Sequence, residues 1–390
     1  DISAVISVAS AMGVDILGIN CATGPDLMAP YIREISQTFP GFTMVMPNAG
    51  MPQNINGKMV YSLSPEDFAQ RVARYVAEDG VQIVGGCCGT SPDYIAALSR
   101  ATPGVKPAAR QRERAWTLAS LYTAQNMLQV PRPLMIGERA NTNGSRRFKE
   151  LLTSENWDGI LEVIADQETG GAHALDLCVA YTGRNEVRDM TLAVSKAVTR
   201  TRLPLVIDST SLEVLEASLK LYGGRPLVNS VNLESGEEYA ERVCRLAKRF
   251  GAALVALTID EIDGMAKTAG KKLEVARRIH ALAVDRVGMK PQDLVFDVLT
   301  FTLGSGDPDS RNAGVETLDG IRRVKAALPG VWTVLGLSNI SFGLSPQPRK
   351  ILNSVFLAEA VDAGLDMAIV HASSIVPMAA IDDGDREAAL

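Results

Sequence analysis

From Pro133 onward a short apolar run recurs eight times, and this periodicity limits the folds open to the chain more than any other feature. The runs are Pro133–Glu138, His173–Leu177, Leu205–Ser209, Leu227–Val231, Leu254–Thr258, Leu294–Val298, Thr333–Leu337 and Met367–His371. Between them apolar residues return at helical spacing, over Trp157–Gln167, Glu186–Arg200, Leu212–Leu221, Glu237–Phe250, Leu273–Val287, Gly314–Leu328 and Arg349–Ala363. A short run that is apolar throughout is a strand covered on both faces. That is the condition of a parallel sheet whose crossover helices lie over it. Eight strands with their helices in roughly 250 residues are what a closed (β/α)8 TIM barrel requires. A doubly wound open sheet would show fewer strands and one glycine-rich phosphate loop, which the sequence lacks.

In such a barrel the functional site lies at the C-terminal ends of the strands. The polar residues there are Glu138 and Asn141, Asp176, Asp208, Asn229, Asp260, Asp297, Asn339 and His371. The first of these ends, Ile136-Gly137-Glu138-Arg139-Ala140-Asn141-Thr142-Asn143-Gly144-Ser145, turns abruptly polar. It reads as a strand end opening into a loop, with glycines to let the backbone turn. Carboxylates present acceptors, and amides present a donor and an acceptor in one plane. The set suits a flat, nitrogen-rich heterocycle better than a phosphate. A single Asp or Asn at a strand end can equally cap the next helix. Capping accounts for Asp208-Ser209-Thr210 but poorly for the whole set.

Residues 1–100 also alternate helix and strand. A helix over Asp1–Met12 is followed by strands at Val14–Ile19, Phe42–Met46 and Val81–Val84, with helices over Pro25–Thr38, from Ser64 to Asp79 and from Ser91 to Arg100. This is a parallel βαβαβα arrangement, or about three units of a second, partial (β/α)8 barrel. Two of its strands end at thiols, Cys21 and the adjacent pair Cys87-Cys88. An adjacent pair alone is weak evidence for a metal. A third cysteine at a neighbouring strand end, with glycines framing both motifs, makes a zinc site with three thiolates and one open position the stronger reading. Five cysteines in 390 residues do not form a secreted disulfide framework and point to a reduced, cytoplasmic protein. Between the two regions, Pro103, Pro107, Pro131 and Pro133 bracket a charged run, Arg110–Arg114, and an amphipathic stretch, Trp116–Leu128, together read as an ordered connector. The net charge is −6, with acids and bases interspersed, which excludes the basic stripe of a nucleic-acid binder. No apolar run reaches the roughly 18 residues of a membrane span. The chain opens at Asp1 without Met, inside a helical pattern, and stops soon after the last strand, as expected of a piece of a longer protein.

Gly137-Glu138-Arg139-Ala140-Asn141-Thr142-Asn143-Gly144-Ser145, Leu175-Asp176, Ile207-Asp208-Ser209, Val228-Asn229-Ser230, Phe296-Asp297 and Gly336-Leu337-Ser338-Asn339-Ile340-Ser341-Phe342-Gly343-Leu344 resemble the pterin-binding, methyltetrahydrofolate domain of the cobalamin-dependent methionine synthases. The resemblance implies that Glu138, Asn141, Asp176, Asp208, Asn229, Asp297 and Asn339 surround a pterin. Asp176 and Asp208 would anchor its ring, and Asn229, Asn339 and Asp176 would serve the chemistry. Family members often carry Asn two residues after the Asp of the second strand. Here Cys178 stands in that place, and Asn185 is the candidate substitute. Gly18-Ile19-Asn20-Cys21-Ala22-Thr23-Gly24-Pro25 and Gly85-Gly86-Cys87-Cys88-Gly89-Thr90 resemble the zinc motifs of the same family's homocysteine-binding domain, which implies Cys21, Cys87 and Cys88 as metal ligands.

The implied activity is methyl transfer from 5-methyltetrahydrofolate, through cob(I)alamin, to zinc-activated homocysteine, with cobalamin held by modules outside these residues. The implied domains are residues 1–102 for homocysteine and zinc, 103–132 as linker, 133–380 for the pterin, and 381–390 as the start of a further linker. Neither nucleic acid nor membrane is an expected partner. The alternatives are a pterin-dependent methyltransferase serving a separate corrinoid protein, a dihydropteroate synthase, or a folate-binding module without catalysis. Among the remaining residues, Cys244 reads as core, His173 and His280 as structural, and His371 as a wall of the site. Arg139 bridges carboxylates or contacts the folate tail.

Overall fold

A computed structural model of the chain describes residues 1–110, 115–303 and 311–390. Two compact units are distinct, Asp1–Ala115 and Trp116–Leu390.

In the first unit, helix α1 (Ile2–Ala11) precedes strand β1 (Ile16–Asn20), helix α2 (Pro25–Thr38) and strand β2 (Phe42–Met46). Strands β3 (Pro52–Ile55) and β4 (Lys58–Tyr61) follow, then helix α3 (Pro65–Asp79), strand β5 (Ile83–Val84) and helix α4 (Pro92–Ala101). β1, β2 and β5 form a parallel sheet in that order. Its core gathers Met28, Ile32, Val45, Phe68, Val72 and Leu98, so both helix layers and the central strand share one apolar cluster. Helix α3 starts where its sequence says it should. Ser64 accepts from the Asp67 N–H, Pro65 occupies the first turn, and Gly80 ends the helix at φ +68°. The antiparallel hairpin β3–β4 was absent from the expected pattern, although Asn56-Gly57 marks its two-residue turn, with φ +53° and +81°.

The second unit opens with a hairpin, β6 (Thr117–Ala119) and β7 (Ala124–Asn126), formed by the stretch expected to be an amphipathic connector. Of the charged run that precedes it, residues 111–114 lie outside the described residues; Arg110 belongs to the first unit and donates to the carbonyls of Ser36, Gly41 and Phe39. The chain then lays down β8 (Leu134–Asn141), α5 (Arg146–Thr153), α6 (Trp157–Thr169), β9 (Ala174–Cys178), α7 (Glu186–Arg200), β10 (Leu205–Asp208), α8 (Leu212–Leu221), β11 (Leu227–Val231), α9 (Glu237–Arg249) and β12 (Ala253–Leu257). A two-strand excursion, β13 (Ile259–Asp260) and β14 (Gly264–Met265), precedes α10 (Ala269–His280), β15 (Leu294–Asp297), α11 (Ala313–Ala327), β16 (Trp332–Gly336), α12 (Pro346–Asp362), β17 (Met367–Val370) and α13 (Asp383–Ala389). Strands β8, β9, β10, β11, β12, β15, β16 and β17 close into a parallel eight-stranded barrel, with β17 pairing back onto β8. Among the described residues no helix is long and apolar enough to cross a membrane.

Strand alternation explains how the barrel makes a site. One buried cluster joins Ile136, Ala174, Val206, Leu227, Val295 and Val334, the interior-facing residues low in the barrel. Leu118 and Met127 of the hairpin belong to the same cluster and close that end. The buried guanidinium of Arg225 ties the hairpin down, donating to the carbonyls of Thr117 and Gly251 and to Asp293. Two residues further along five of these strands, the interior position becomes Glu138, Asp176, Asp208, Asn229 and Asp297, because successive side chains alternate faces. In β8 the register shifts between Gly137 and Ala140. The strand therefore continues to Asn141 instead of opening into a loop after Ile136, and the bulge turns both Glu138 and Asn141 inward.

Candidate functional site

At the mouth of the barrel Asn141 is the connecting residue. Its Nδ2 donates to Asp176 Oδ2 at 2.7 Å and to Asp208 Oδ2 at 3.1 Å, while its Oδ1 accepts from the N–H groups of Asn143 and Gly144. One amide therefore spans two neighbouring strands and is held by its own loop. Asp176 is 1% exposed, and burial pushes its carboxyl up to about 6 against the Asn141 and Asn229 amides, which hold it down. Asp208 is raised too, first by burial and then by the nearby charge of Asp176. Among the described residues Asp176 Oδ1 has no hydrogen-bond partner, although it is buried. A buried carboxylate oxygen left unpaired costs on the order of 1–3 kcal/mol, so a donor that reached it would be stabilised there.

The other strand ends differ in what holds them. Glu138 accepts from Ser338 Oγ at 3.0 Å, and burial raises its pKa against the charges of Arg349 and Arg139. Asp297 accepts from the Leu299 N–H at 2.7 Å, and burial raises it to about 6. Asn229, midway along β11, is half-buried beside Asp176. Asn339 is exposed, in the 3-10 turn Leu337–Ser341 that follows β16. His371 Nδ1 lies 3.5 Å from the Arg139 guanidinium, and burial followed by that charge lowers its pKa.

One expected placement is not realised. Asp260 belongs to the β13–β14 excursion and is neutralised by Lys271 at 2.9 Å and Arg278 at 3.5 Å, so it serves an ion-pair network and not the mouth. Asn185 caps α7 through Oδ1, which accepts from the Arg188 N–H. Cys178 is buried, with Sγ 3.9 Å from Asn143 Nδ2.

One contributor escaped the sequence reading. Lys272 is fully buried, donates to the carbonyls of Val298 and Leu299, and lies 5.2 Å from the centre of the Phe301 ring. Burial lowers its pKa to about 8 against the charges of Asp297 and Glu316. With Thr317 Oγ1, it holds the carbonyl of Leu299, whose φ is +63°, and so fixes the turn that donates to Asp297. The signal was present: Lys272 falls on the buried stripe Ala269, Val275, Ala276 and Ile279 of α10, where a lysine has no packing reason to be.

In the first unit, loops after three parallel strands converge. Cys21 follows β1, and Cys87 and Cys88 follow β5. Asn48, just beyond β2, accepts from the Cys88 N–H through Oδ1 at 3.1 Å. The three Sγ atoms lie within 4.8 Å of one another, with Cys21–Cys88 at 3.5 Å and Cys87–Cys88 at 3.9 Å. Sulfurs bound to one tetrahedral zinc at about 2.3 Å stand roughly 3.8 Å apart, so the cluster has the spacing zinc needs. Cys21 and Ala22 hold φ of +61° and +60°, a conformation that costs non-glycine residues energy. The Ala22 N–H, then the neighbouring thiols, lower the pKa of Cys21. Tyr61, at the end of the unforeseen hairpin, brings its hydroxyl to Cys88, and its ring lies where a side chain at Gly89 would go.

Known proteins match both units. The family model for pterin-binding enzymes matches residues 137–371, and that for homocysteine S-methyltransferases matches residues 1–102. A methionine synthase of Mycobacterium leprae is 45% identical over 401 residues, and one of Mycobacterium tuberculosis is 44% identical over 393. Each alignment covers 100% of this chain and 33% of the relative, so the chain spans about a third of the length of these curated relatives. A solved dihydropteroate synthase from Xanthomonas albilineans in complex with 7,8-dihydropteroate is 18% identical, with a TM-score of 0.47 over 63% of this chain and 91% of that one, a likeness too slight to build on. The pterin-binding model covers well over half of the chain, and the chain belongs to the pterin-binding enzyme family.

Proposed function

We propose that this chain carries the folate site and the thiol site of a methyltransferase that moves a methyl group from 5-methyltetrahydrofolate to homocysteine, giving tetrahydrofolate and methionine. Cob(I)alamin, held outside these residues in the longer protein, would be the intermediate acceptor. The observation that carries the reading is the buried Asn141–Asp176–Asp208 constellation with its unpaired Asp176 oxygen. The edge of a pterin presents N–H and NH2 donors in one plane, and buried carboxylates positioned by an amide are their complement. Residues 133–380 are assigned to the pterin and residues 1–102 to homocysteine, with 103–132 as the linker and 381–390 leading onward. Five free cysteines suit a cytoplasmic setting.

At the pterin, Glu138, Asn141, Asp176, Asp208 and Asp297 orient the ring within a mouth whose far end is sealed by apolar packing. N5 is a poor leaving group until it gains a proton, so groups that favour protonated N5 as the methyl departs act on the transition state. Asn229 and Asn339 are assigned that contact. Their amides can stabilise the proton by hydrogen bonding, but they are not themselves acids at neutral pH. At the thiols, Cys21, Cys87 and Cys88 fit zinc by number, element and spacing. Zinc bound there supplies an electrophilic centre that keeps a substrate thiol deprotonated at neutral pH. The chain's own part is to hold the three sulfurs close, through the left-handed turn at Cys21 and the Asn48 bond to the Cys88 backbone.

The test is methyl transfer from 5-methyltetrahydrofolate to free cob(I)alamin, followed by cobalamin absorbance. Turnover by the chain, reduced at least roughly ten-fold in Asn339→Ala with folate binding little changed, is the expected result. Folate binding without any turnover would favour a binding module whose chemistry needs more than these residues. An equal fall in binding and turnover in Asn339→Ala would reduce Asn339 to ground-state binding.

A further inference from the structure

A buried cation stands behind the ring of interior acids, on the helix side of β15. Lys272 projects from α10, and α11 makes room for its stem with Gly320, where a Cβ would lie 2.8 Å from the lysine Cδ. The ammonium is spent on two backbone carbonyls, those of Val298 and Leu299, and not on an ion pair. Burying a charge in this way is costly, and a methionine would fill the same slot without the cost. Among the described residues the charged groups that face Lys272 are Asp297 at the end of β15 and Glu316 on α11. Glu316 is already engaged, accepting from the Ala269 N–H at the start of α10 at 2.6 Å. Asp297 has Lys272 as the cation that opposes its burial, beside the N–H groups of Leu299 and Gly336. Two short links join the pair: Lys272 Nζ reaches the Leu299 carbonyl at 3.0 Å, and the Leu299 N–H reaches Asp297 Oδ1 at 2.7 Å. Thr317 Oγ1 holds the same carbonyl at 3.0 Å, so the turn also has an uncharged support.

We infer that Lys272 is a positioning residue that acts through its charge: it keeps Asp297 ionised at neutral pH, ready to accept from a bound pterin, while it holds the turn beside it. The inference rests on the pterin reading and adds to it a residue that touches no substrate. A positive charge near a carboxylate favours the ionised form, whereas burial favours the protonated one. With both present, Asp297 is raised only to about 6. Without the charge burial is unopposed, and Asp297 takes up its proton at higher pH. Burial lowers Lys272 itself to about 8, so it is charged through the range in which Asp297 titrates. Because both groups are buried, salt screens the pair far less than it screens surface charges. Thr317 can support the turn, but it cannot replace the charge.

The experiment measures equilibrium binding of 5-methyltetrahydrofolate from about pH 5.5 to about pH 7.5, the window in which the mouth carboxyls ionise. The proteins are the chain itself, Lys272→Met, Thr317→Val, and Asp297→Asn with and without Lys272→Met. Affinity for the unaltered chain rises with pH. In Lys272→Met the midpoint of that rise moves up by roughly half a pH unit or more, a loss of about three-fold near pH 6 beyond any loss common to all pH values. Lys272→Gln, which removes the charge but keeps an N–H donor, gives the same shift and serves where Lys272→Met does not fold. Thr317→Val weakens binding and leaves the midpoint in place. In the Asp297→Asn background Lys272→Met no longer moves the midpoint, because the group it acts through is gone. A midpoint unmoved by loss of the charge, moved as far by Thr317→Val, or still moved in the Asp297→Asn background would overturn the role of Lys272 and leave the pterin site standing. Absence of binding by the unaltered chain at every pH would overturn the pterin reading itself and this role with it.

Discussion

Asp176 carries a burial cost that its proposed part in binding folate would account for. Its carboxyl is nearly wholly buried, is raised to about 6 from its ordinary 3.8, and keeps one oxygen unpaired. Asp297 is raised to about 6 by the same cause. A raised carboxyl means that the folded chain holds a proton that the unfolded chain has released. The cost of burying the charge is absent below about pH 3.8 and fully present above about pH 6. Stability attributable to these groups should therefore fall as pH rises through that window. Folate affinity should move the other way, because the ionised carboxylate accepts at both oxygens, and more strongly than the protonated carboxyl, from the donor edge of a pterin. Denaturant melts and folate titrations at matched pH values check this, and parallel pH trends would contradict the assigned roles. The residues themselves were legible as strand-end Asp and Asn. Their grouping was not, because nothing local distinguishes Asp208, which faces the ring, from Asp260, which is spent on Lys271 and Arg278. Lys272 was legible in principle as a charge on an apolar stripe, but its acceptors, Val298 and Leu299, are more than twenty residues away in sequence.

At the level of elements, the sequence pattern placed the eight barrel strands closely, because each is an apolar run bounded by polar residues and the run length itself sets the strand. The hairpins fared worse. β6–β7 has few residues and no strong alternation, and it becomes apolar-in only by meeting the barrel floor, a contact invisible locally. β3–β4 did carry an Asn-Gly turn, yet its exposed strands lack the apolar runs that mark the others. The hairpin at the barrel floor should matter energetically. Leu118 is fully buried in the cluster that contains Ile136, Ala174 and Val206. Leu118→Ala removes buried methyl groups and leaves a cavity, which costs about 2–5 kcal/mol. Urea unfolding of the second unit would show it as a lower midpoint with an unchanged slope. A loss under roughly 0.5 kcal/mol would mean that the hairpin does not close the barrel.

For the whole molecule, two units each place chemistry at the C-terminal ends of parallel strands: sulfurs in one, carboxylates and amides in the other. The second of these sites is proposed to bind a folate through Asp176. The most direct measurement is equilibrium binding of 5-methyltetrahydrofolate to the chain and to Asp176→Asn, with thermal stability recorded alongside. The substitution keeps shape and removes the ionised acceptor. Affinity should fall roughly ten-fold or more, the worth of a hydrogen bond to a charged group, while stability holds or rises because a buried charge is gone. Unchanged affinity in the substituted chain, or no folate binding by either protein, would contradict that role for Asp176.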